Sequence, residues 1–195
     1  GPLSRAEAEA ELRRIGGARP ELAAPPARAG CLRGIDAYPP DLLAQVYRIA
    51  ANQFHARHGR LPDPASPRGY VEHLFALKFL HEIPLDPAPG DKLAAHRFLP
   101  PGLRARAGLP ARPWVSAEPA LPDDAALPPG RYWLKASVGN AMQCRIDWPP
   151  GPAERARAEA RGRAWLRALY GVIWGEWWYG TVRPRLFLEA DLGPA

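Results

Sequence analysis

The stretch that decides the fold is "RYWLKASVGNAMQCRIDW", which runs from Arg131 to Trp148. Two runs of aromatic and apolar residues, "RYWLKA" and "MQCRIDW", flank a loop of small residues. Gly and Asn tolerate the backbone angles of a tight turn, so the pattern predicts two strands joined as a β-hairpin. Lys135 ends the first strand and allows two interpretations. Its ammonium extends to solvent along the strand, or it faces a nucleotide phosphate beside the main-chain N–H groups of the loop.

Helical patterns precede this hairpin. "DLLAQVYRIAANQFHARHG" repeats apolar residues at helical spacing, with Asp41 as the N-cap and Gly59 as the stop. A second helix is predicted from Ser66 as its cap, with Pro67 at the first helical position and Pro84 at the end. "PGDKLAAHRFLP" predicts a third, short helix that begins near Asp91.

A helix and a strand follow the hairpin. "PAERARAEARGRAWLRALYG" predicts a helix over residues 152–171, in which Glu159 and Arg163 have the spacing of an ion pair one turn apart. "RLFLEADL" predicts a strand from Arg185 to Leu192, and "RPWVSA" predicts a short strand ahead of the hairpin. Helices first and a mixed unit afterwards indicate an α+β fold with a mainly antiparallel sheet.

Three regions follow from this order. Residues 1–40 hold the remnant of a cleaved tag at Gly1 and Pro2, a short helix and a Pro-rich segment. Residues 41–100 form a helical region, and residues 101–195 form the small α+β subdomain. The chain has 195 residues, enough for one such domain with a real core.

The net charge favours an anionic partner. Lys and Arg number 26 and Asp and Glu 20, a formal net charge of +6, which suits a nucleotide, a nucleic acid or an acidic glycan. The arginines are interleaved with acidic residues along the chain, which disfavours nucleic acid as a partner. No apolar run has the length of a membrane span, and Cys31 and Cys144 are too few for a disulfide scaffold. A cytoplasmic protein is therefore expected.

Two other residue clusters suggest chemistry less strongly. His55 and His58 are one helical turn apart, but a metal site needs three or four converging ligands, so no metal site is predicted. The aromatic residues of "WGEWWYG" would stack nucleic-acid bases or sugars together with Arg, or would fill a core. The core is the favoured interpretation, and Arg/Trp binding of nucleic acid or glycan is the alternative.

A nucleotide site is suggested by three features taken in order. Lys92 stands at the head of a predicted helix, Lys135 stands on a strand before a Gly loop, and Glu189 lies near the end of an apolar strand. Lysines from separate elements can bracket a polyphosphate as point charges. An extended strand can offer main-chain donors and acceptors to an adenine edge.

With these features the sequence resembles the TupA-like branch of the ATP-grasp superfamily. The similarity covers residues 57–192 through the segments "RHGRLPDPASPRGYVEHLFALKFLHEIPL", "GDKLAAHRFL", "YWLKASVGNAMQ" and "GEWWYGTVRPRLFLEADL". The resemblance implies a lid-like subdomain over residues 101–195 that ends at the adenine hinge. It also implies ATP and Mg²⁺ as cofactors. In complete form the protein would be a carboxylate–amine ligase acting through an acyl-phosphate in polysaccharide or cell-surface glycan biosynthesis, with a glycan or amino-acid acceptor.

The resemblance also assigns residues. Lys92 and Lys135 would contact the phosphates, and the hinge from Glu189 to Leu192 would read adenine. The residues implied as cofactor-binding are Lys92, Lys135, Ser137, Gly139, Asn140, Glu189, Ala190 and Leu192. Glu176 and Arg185 occupy family positions for which a structural role is expected.

The sequence departs from the family pattern in the loop and at its end. Val138 stands in place of His, Asn140 and Ala141 in place of Ser-Gly, Gln143 in place of Asn, and His96 in place of Arg. Family magnesium ligands come from strands after the hinge, and three residues follow Leu192. No catalytic residue is assigned, and this chain alone is expected to be inactive. The alternative is a non-catalytic, degenerate domain that serves as an interaction scaffold.

Overall fold

The fold is α+β, as predicted, with N-terminal helices followed by a four-stranded antiparallel sheet and its helices. A computed structural model describes residues 40–80, 90–168, 170–171 and 174–193. The predicted helix within residues 1–40 lies outside the described residues. The chain divides into two compact units, a helical unit that includes residues 40–80 and 174–181 and a sheet unit that includes residues 90–168 and 182–193.

The helical unit packs around aromatic side chains. It contains α1 (Pro40–His58), α2 (Tyr70–Leu80) and a 3₁₀ turn (Trp177–Thr181). Tyr47 of α1 meets Phe75 and Phe79 of α2 edge to face, with ring centroids 5.6 and 5.0 Å apart. Trp177 is 1% exposed, and its indole N–H donates to the carbonyl of Lys78. Trp177 therefore lies in the core, as the favoured interpretation of the aromatic cluster predicts.

The start of α2 differs from the prediction. The helix begins at Tyr70 instead of Pro67, because the preceding loop folds around the carboxylate of Glu72. That carboxylate accepts the main-chain N–H groups of Asp63 and Arg68 and pairs with Arg60. Pro84, the predicted end of the helix, lies outside the described residues. In α1 the prediction is confirmed, since Gly59 follows the helix with a φ of +70°.

The sheet unit contains four strands in the order β1-β4-β2-β3, and every neighbouring pair is antiparallel. The strands are β1 (Trp114–Ser116), β2 (Gly130–Ala136), β3 (Gln143–Trp148) and β4 (Leu186–Ala190). β2 and β3 form the predicted hairpin, and β4 inserts between β1 and β2. The strand predicted from Arg185 to Leu192 is thus shorter by one residue at its start and two at its end.

One face of this sheet packs on a helix. The helix α4 (Pro152–Arg167) buries Ala158, Gly162 and Leu166 against apolar side chains of the strands. At Gly162 the helix approaches the sheet so closely that an added Cβ would lie 2.5 Å from Leu186 Cδ1. The core on this face also includes Tyr132, Leu134, Ile146, Trp148 and Leu188. The opposite face carries the alternate residues of each strand, polar ones among them.

Several local predictions in the sheet unit need correction. The short helix predicted near Asp91 is a turn followed by a 3₁₀ helix (Ala95–Phe98), and it is followed by a short helix α3 (Pro101–Arg106) that was not predicted. Glu159 pairs with Arg155, at 3.7 Å, instead of Arg163. Its Oε1 also accepts the main-chain N–H of Leu121, which lies on the Arg155 side of the helix.

In the part of the chain that the structure describes, no helix combines the length and the apolar character needed to cross a membrane.

Candidate functional site

The sheet face opposite α4, here called the polar face, carries two of the predicted site residues, Lys135 and Glu189. Lys135 of β2 lies directly opposite Phe187 of β4, and Trp133 lies opposite Glu189. Residues opposite each other in an antiparallel pair share a face, so all four side chains project to the same side. Phe187 is 1% exposed, and the guanidinium of Arg112 lies 5.3 Å from its ring centroid. The alternation of β2 and β4 therefore gathers charge on a partly buried surface.

Glu189 forms the centre of an ion-pair triad on this face. Its Oε1 accepts a hydrogen bond from the Lys135 ammonium, and its Oε2 lies 3.3 Å from Arg112 Nε. The side chains are 11%, 21% and 22% exposed for Glu189, Lys135 and Arg112. Partial burial strengthens these interactions relative to a solvated ion pair. One carboxylate therefore holds two cations in place, and the triad keeps a net positive charge.

Lys92 reaches the same neighbourhood from a different segment. Its main-chain N–H donates to Ser137 O at 2.8 Å, and its ammonium donates to Ala136 O at 3.0 Å and to Gly139 O. Burial and then the nearby charge of Lys135 lower the pKa of Lys92. The bonds to Ala136 and Gly139 thus place the Lys92 ammonium beside the loop that follows Lys135.

The hairpin loop is held largely by internal bonds. Ser137 is fully buried, donates its N–H to Arg185 O at 2.7 Å, and accepts the Arg185 N–H on Oγ at 3.0 Å. Gly139 is also buried, with a φ of +83°, and its carbonyl accepts from Lys92. Asn140 is exposed, and its Oδ1 accepts the Ala141 N–H at 2.9 Å. Ser137 and Gly139 therefore shape the loop from inside, and Asn140 is the predicted loop residue that faces outward.

Ala141 adopts a backbone conformation that usually needs glycine. Its φ is +57°, in the left-handed region where a Cβ costs about 1–2 kcal/mol. The loop thus keeps its glycine-type geometry under strain.

An ion pair anchors the base of the loop. Arg185 Nη2 lies 2.9 Å from Asp91 Oδ2, and Asp91 is 7% exposed. Asp91 Oδ1 also accepts the Leu93 N–H at 2.9 Å. Arg185 therefore ties the segment that carries Lys92 to the segment that carries Ser137, which is the structural role expected for it. Glu176 lies 4.0 Å from Lys78, within the helical unit.

The predicted hinge, Glu189 to Leu192, consists of the last two residues of β4 and the two residues that follow it. Ala190 N–H donates to Ala111 O at 2.9 Å, and Asp191 N–H donates to Arg131 O at 3.0 Å. Leu192 is 74% exposed, and no hydrogen bond reaches its main chain from the residues that the structure describes. The main chain at Leu192 is therefore available to a ligand edge.

Two charged residues of the polar face were missed by sequence reasoning. Arg112 reaches Glu189 from a distant segment before β1, so no local pattern indicates the pair. Asp191 lies 3.4 Å from Arg145 Nε and 3.8 Å from Arg131 Nε. The Gly193 N–H and the Trp133 indole, together with these arginines, lower the pKa of Asp191. The alternation of "LFLEAD" places Asp191 on the Glu189 face and could have indicated this second carboxylate.

Within the described ranges, no group of three or more His, Cys, Asp and Glu side chains converges as metal ligands. His55 and His58 are both exposed on α1.

Comparison of the chain with protein-family models, with curated proteins and with solved structures found no match.

Proposed function

We propose that this chain is the nucleotide-binding part of an ATP-grasp-type protein and that its polar face binds the polyphosphate of ATP. The observation that carries the proposal is that the Lys92 ammonium bonds to the carbonyl of Ala136, the residue after Lys135, and to the carbonyl of Gly139 in the loop. The charge of Lys135 also contributes to the lowered pKa of Lys92. Two neighbouring ammonium groups repel each other, and an anion between them would relieve that repulsion. Arg112 adds a third cation to the same face.

The scarcity of lysine in the chain supports a specific role for the two lysines at this site. Of the 26 basic residues in the chain, three are lysines, Lys78, Lys92 and Lys135. An ammonium is a compact point charge on a flexible stem, and a guanidinium is a planar fork. In a chain that otherwise uses Arg, two of the three lysines meet at this site.

The donor groups fit a phosphate. The triad presents Lys135 and Arg112 already held by Glu189, and binding would draw the Lys92 ammonium from the carbonyls of Ala136 and Gly139. A partly buried setting makes each charge-assisted bond to a phosphate oxygen stronger than it is in water. Lys92, Lys135 and Arg112 would therefore hold the phosphates.

The base would lie at the hinge. The main chain at Leu192 has no bonding partner among the described residues, and an adenine edge needs one donor and one acceptor. The unbonded main chain lies at Leu192, after the end of β4, and the cations lie near Lys135 on the neighbouring strand. This arrangement supports a nucleotide with its adenine near Leu192 and its phosphates near Lys135.

In complete form, the proposed protein is a carboxylate–amine ligase that acts through an acyl-phosphate in glycan biosynthesis. Magnesium would neutralise charge on the transferring phosphoryl group. The carboxylates of the described residues do not converge as metal ligands, and two of those on the polar face, Glu189 and Asp191, are engaged by cations. No metal-dependent step is therefore assigned to these residues.

A second candidate is a non-catalytic domain that keeps this fold as a scaffold. The Lys92 ammonium bonded to two carbonyl groups favours it, because the same bonds would hold the loop without any ligand. Strain at Ala141 also suits a loop that has departed from a glycine-rich cradle.

The two candidates differ in their response to Mg-ATP. The proposal predicts that millimolar Mg-ATP raises the melting temperature of the full 195-residue chain, and that Lys135→Ala abolishes the shift. Arg183→Ala, at an exposed position outside the site, is the matched control and should retain the shift. A wild-type protein that shows no shift, with partner binding unaffected by Lys135→Ala, would favour the scaffold.

A further inference from the structure

Helix α4 separates charges that alternate along the sequence. Within this fully described helix, every exposed residue after Pro152 is Ala or Arg. The exposed arginines are Arg157, Arg161, Arg163 and Arg167, and the exposed alanines are Ala153, Ala156, Ala160 and Ala164. The two glutamates of the helix, Glu154 and Glu159, are half-buried. Helix geometry thus converts an interleaved sequence into an outer face with one sign of charge, here called the arginine face.

Three arginines of this face keep their charge uncompensated. Glu159 is engaged by Arg155 and by the main-chain N–H of Leu121. Among the residues that the structure describes, no ion pair involves Arg157, Arg161 or Arg163. Like charges held together without a counter-charge create a positive potential that attracts a polyanion.

The arginines are arranged on the two sides of the helix, as they would be in a helix that lies in a nucleic-acid groove between two phosphate strands. At about 100° per residue, Arg157 and Arg161 lie on one side of a line through Ala160 and Ala164, and Arg163 lies on the other side. The helix of 16 residues is about 24 Å long and, with its side chains, about 10–12 Å wide. The major groove of B-DNA is about 12 Å wide. The short alanine side chains allow close approach, and the flanking arginines reach toward both phosphate strands.

We propose that the arginine face of α4 binds the phosphate backbone of a nucleic-acid duplex. This revises the expectation from the interleaved sequence, because the fold sorts the charges. The exposed face carries no Asn or Gln to read adenine, and we expect its arginines to contact phosphates instead of guanine edges, so the proposed binding is sequence-independent. It also lacks the large apolar residues of a helix that inserts into a membrane surface. The face lies on the opposite side of the sheet from the polar face, so it is independent of the proposed nucleotide site.

The test is fluorescence anisotropy with a labelled 20-base-pair duplex of mixed sequence and the 195-residue chain. We expect a Kd on the order of 1 μM at 50 mM salt, with a steep linear dependence of log Kd on log salt. The triple variant R157Q/R161Q/R163Q should weaken binding at least tenfold and reduce the slope by about 2.7, since each phosphate contact contributes about 0.9.

A matched control removes the same charge elsewhere on the sheet unit. The variant R97Q/R106Q/R183Q changes three exposed arginines and should keep both the slope and the affinity within about threefold, because long-range attraction alone is screened. An equal loss in the control variant would show general charge attraction and overturn the proposal. Equally tight binding of polyglutamate of similar length would assign the face to an acidic polypeptide and also overturn it.

Discussion

Lys135 and Glu189 lie diagonally across the adjacent strands β2 and β4, and their side chains form an ion pair on the polar face. The same carboxylate holds Arg112, so one residue of β4 orients cations from two other segments. This cluster ties together segments far apart in the sequence, because the sheet order places β4 between β1 and β2. The triad is therefore both a packing element and the centre of the proposed phosphate site.

Removing the carboxylate of this triad should destabilise the protein. We expect Glu189→Gln to lower the free energy of unfolding by about 2 kcal/mol, because two partly buried cations lose their charged hydrogen-bond acceptor. Urea denaturation monitored by Trp fluorescence would measure the change. Glu118→Gln, at an exposed position, is the control and should change the value by less than about 0.5 kcal/mol. Equal effects of the two substitutions would contradict this role of Glu189.

Glu72 should make the helical unit sensitive to acid. Its bonds to Arg60, Arg68 and Asp63 lower the pKa of Glu72 to about 2 from the ordinary value of 4.5. A depressed pKa means that the carboxylate stabilises the fold above the unfolded-state pKa, and that this contribution is lost as the pH falls from about 5 to about 2. We expect Glu72→Gln to lower the free energy of unfolding by about 2 kcal/mol at pH 7. This difference in the free energy of unfolding should shrink as the pH falls toward 2. A difference that stays constant with pH would contradict the proposed role of the Glu72 carboxylate.

The strain at Ala141 predicts a stabilising substitution to glycine. Ala141→Gly removes the Cβ from a φ of +57° and should raise the free energy of unfolding by about 0.5 kcal/mol, after the entropy cost of glycine in the unfolded chain. Ala160→Gly, at an exposed position in the middle of α4, is the control with the opposite expected effect. It should lower the free energy of unfolding by about 1 kcal/mol, because glycine disfavours the helix. Thermal denaturation of the two variants measures both changes in stability. A shift of the melting temperature in the same direction for both variants would contradict backbone strain at Ala141.

Two glycines with positive φ should respond differently to alanine. At Gly171, with a φ of +81°, an added Cβ would lie 2.8 Å from Glu176 O and 2.8 Å from the Tyr179 ring. At Gly59, with a φ of +70°, nothing lies within 4 Å. We expect Gly59→Ala to cost about 1 kcal/mol from backbone strain alone, and Gly171→Ala about 2 kcal/mol more because the backbone must move. Similar melting temperatures for the two variants would contradict this packing.

Sequence reasoning identified the elements whose signals are local. The β2–β3 hairpin and α1 follow from alternation, helical periodicity and stop residues, and the structure confirms them. The predicted start of α2 at Pro67 was wrong, and the helix begins at Tyr70, because the bonds from Asp63 and Arg68 to Glu72 outweigh the helix-start signal of Ser66 and Pro67. Local sequence patterns do not indicate hydrogen bonds of this kind between a loop and a helix side chain.

Only part of the candidate site could be predicted, because some of its contacts depend on how distant segments pair in the sheet. Lys92 and Lys135 were identified from their order along the chain, and the bonds of the Lys92 ammonium to Ala136 and Gly139 place it beside the loop that follows Lys135. The sequence did not indicate Arg112, because its approach to Glu189 depends on the pairing of β1 with β4. Ser137 was expected at the phosphate, but its side chain is buried and bonded to Arg185.

The most direct test of the proposed nucleotide site is an amide chemical-shift titration of the ¹⁵N-labelled chain with ATP. The proposal predicts saturable shifts at Gly139, Asn140 and Leu192, because phosphates would displace Lys92 from the loop and adenine would occupy the hinge. The amides of Arg157 and Arg163, on the other side of the sheet, should move little. Absence of shifts at millimolar ATP, or shifts confined to α4, would contradict a nucleotide site on the polar face.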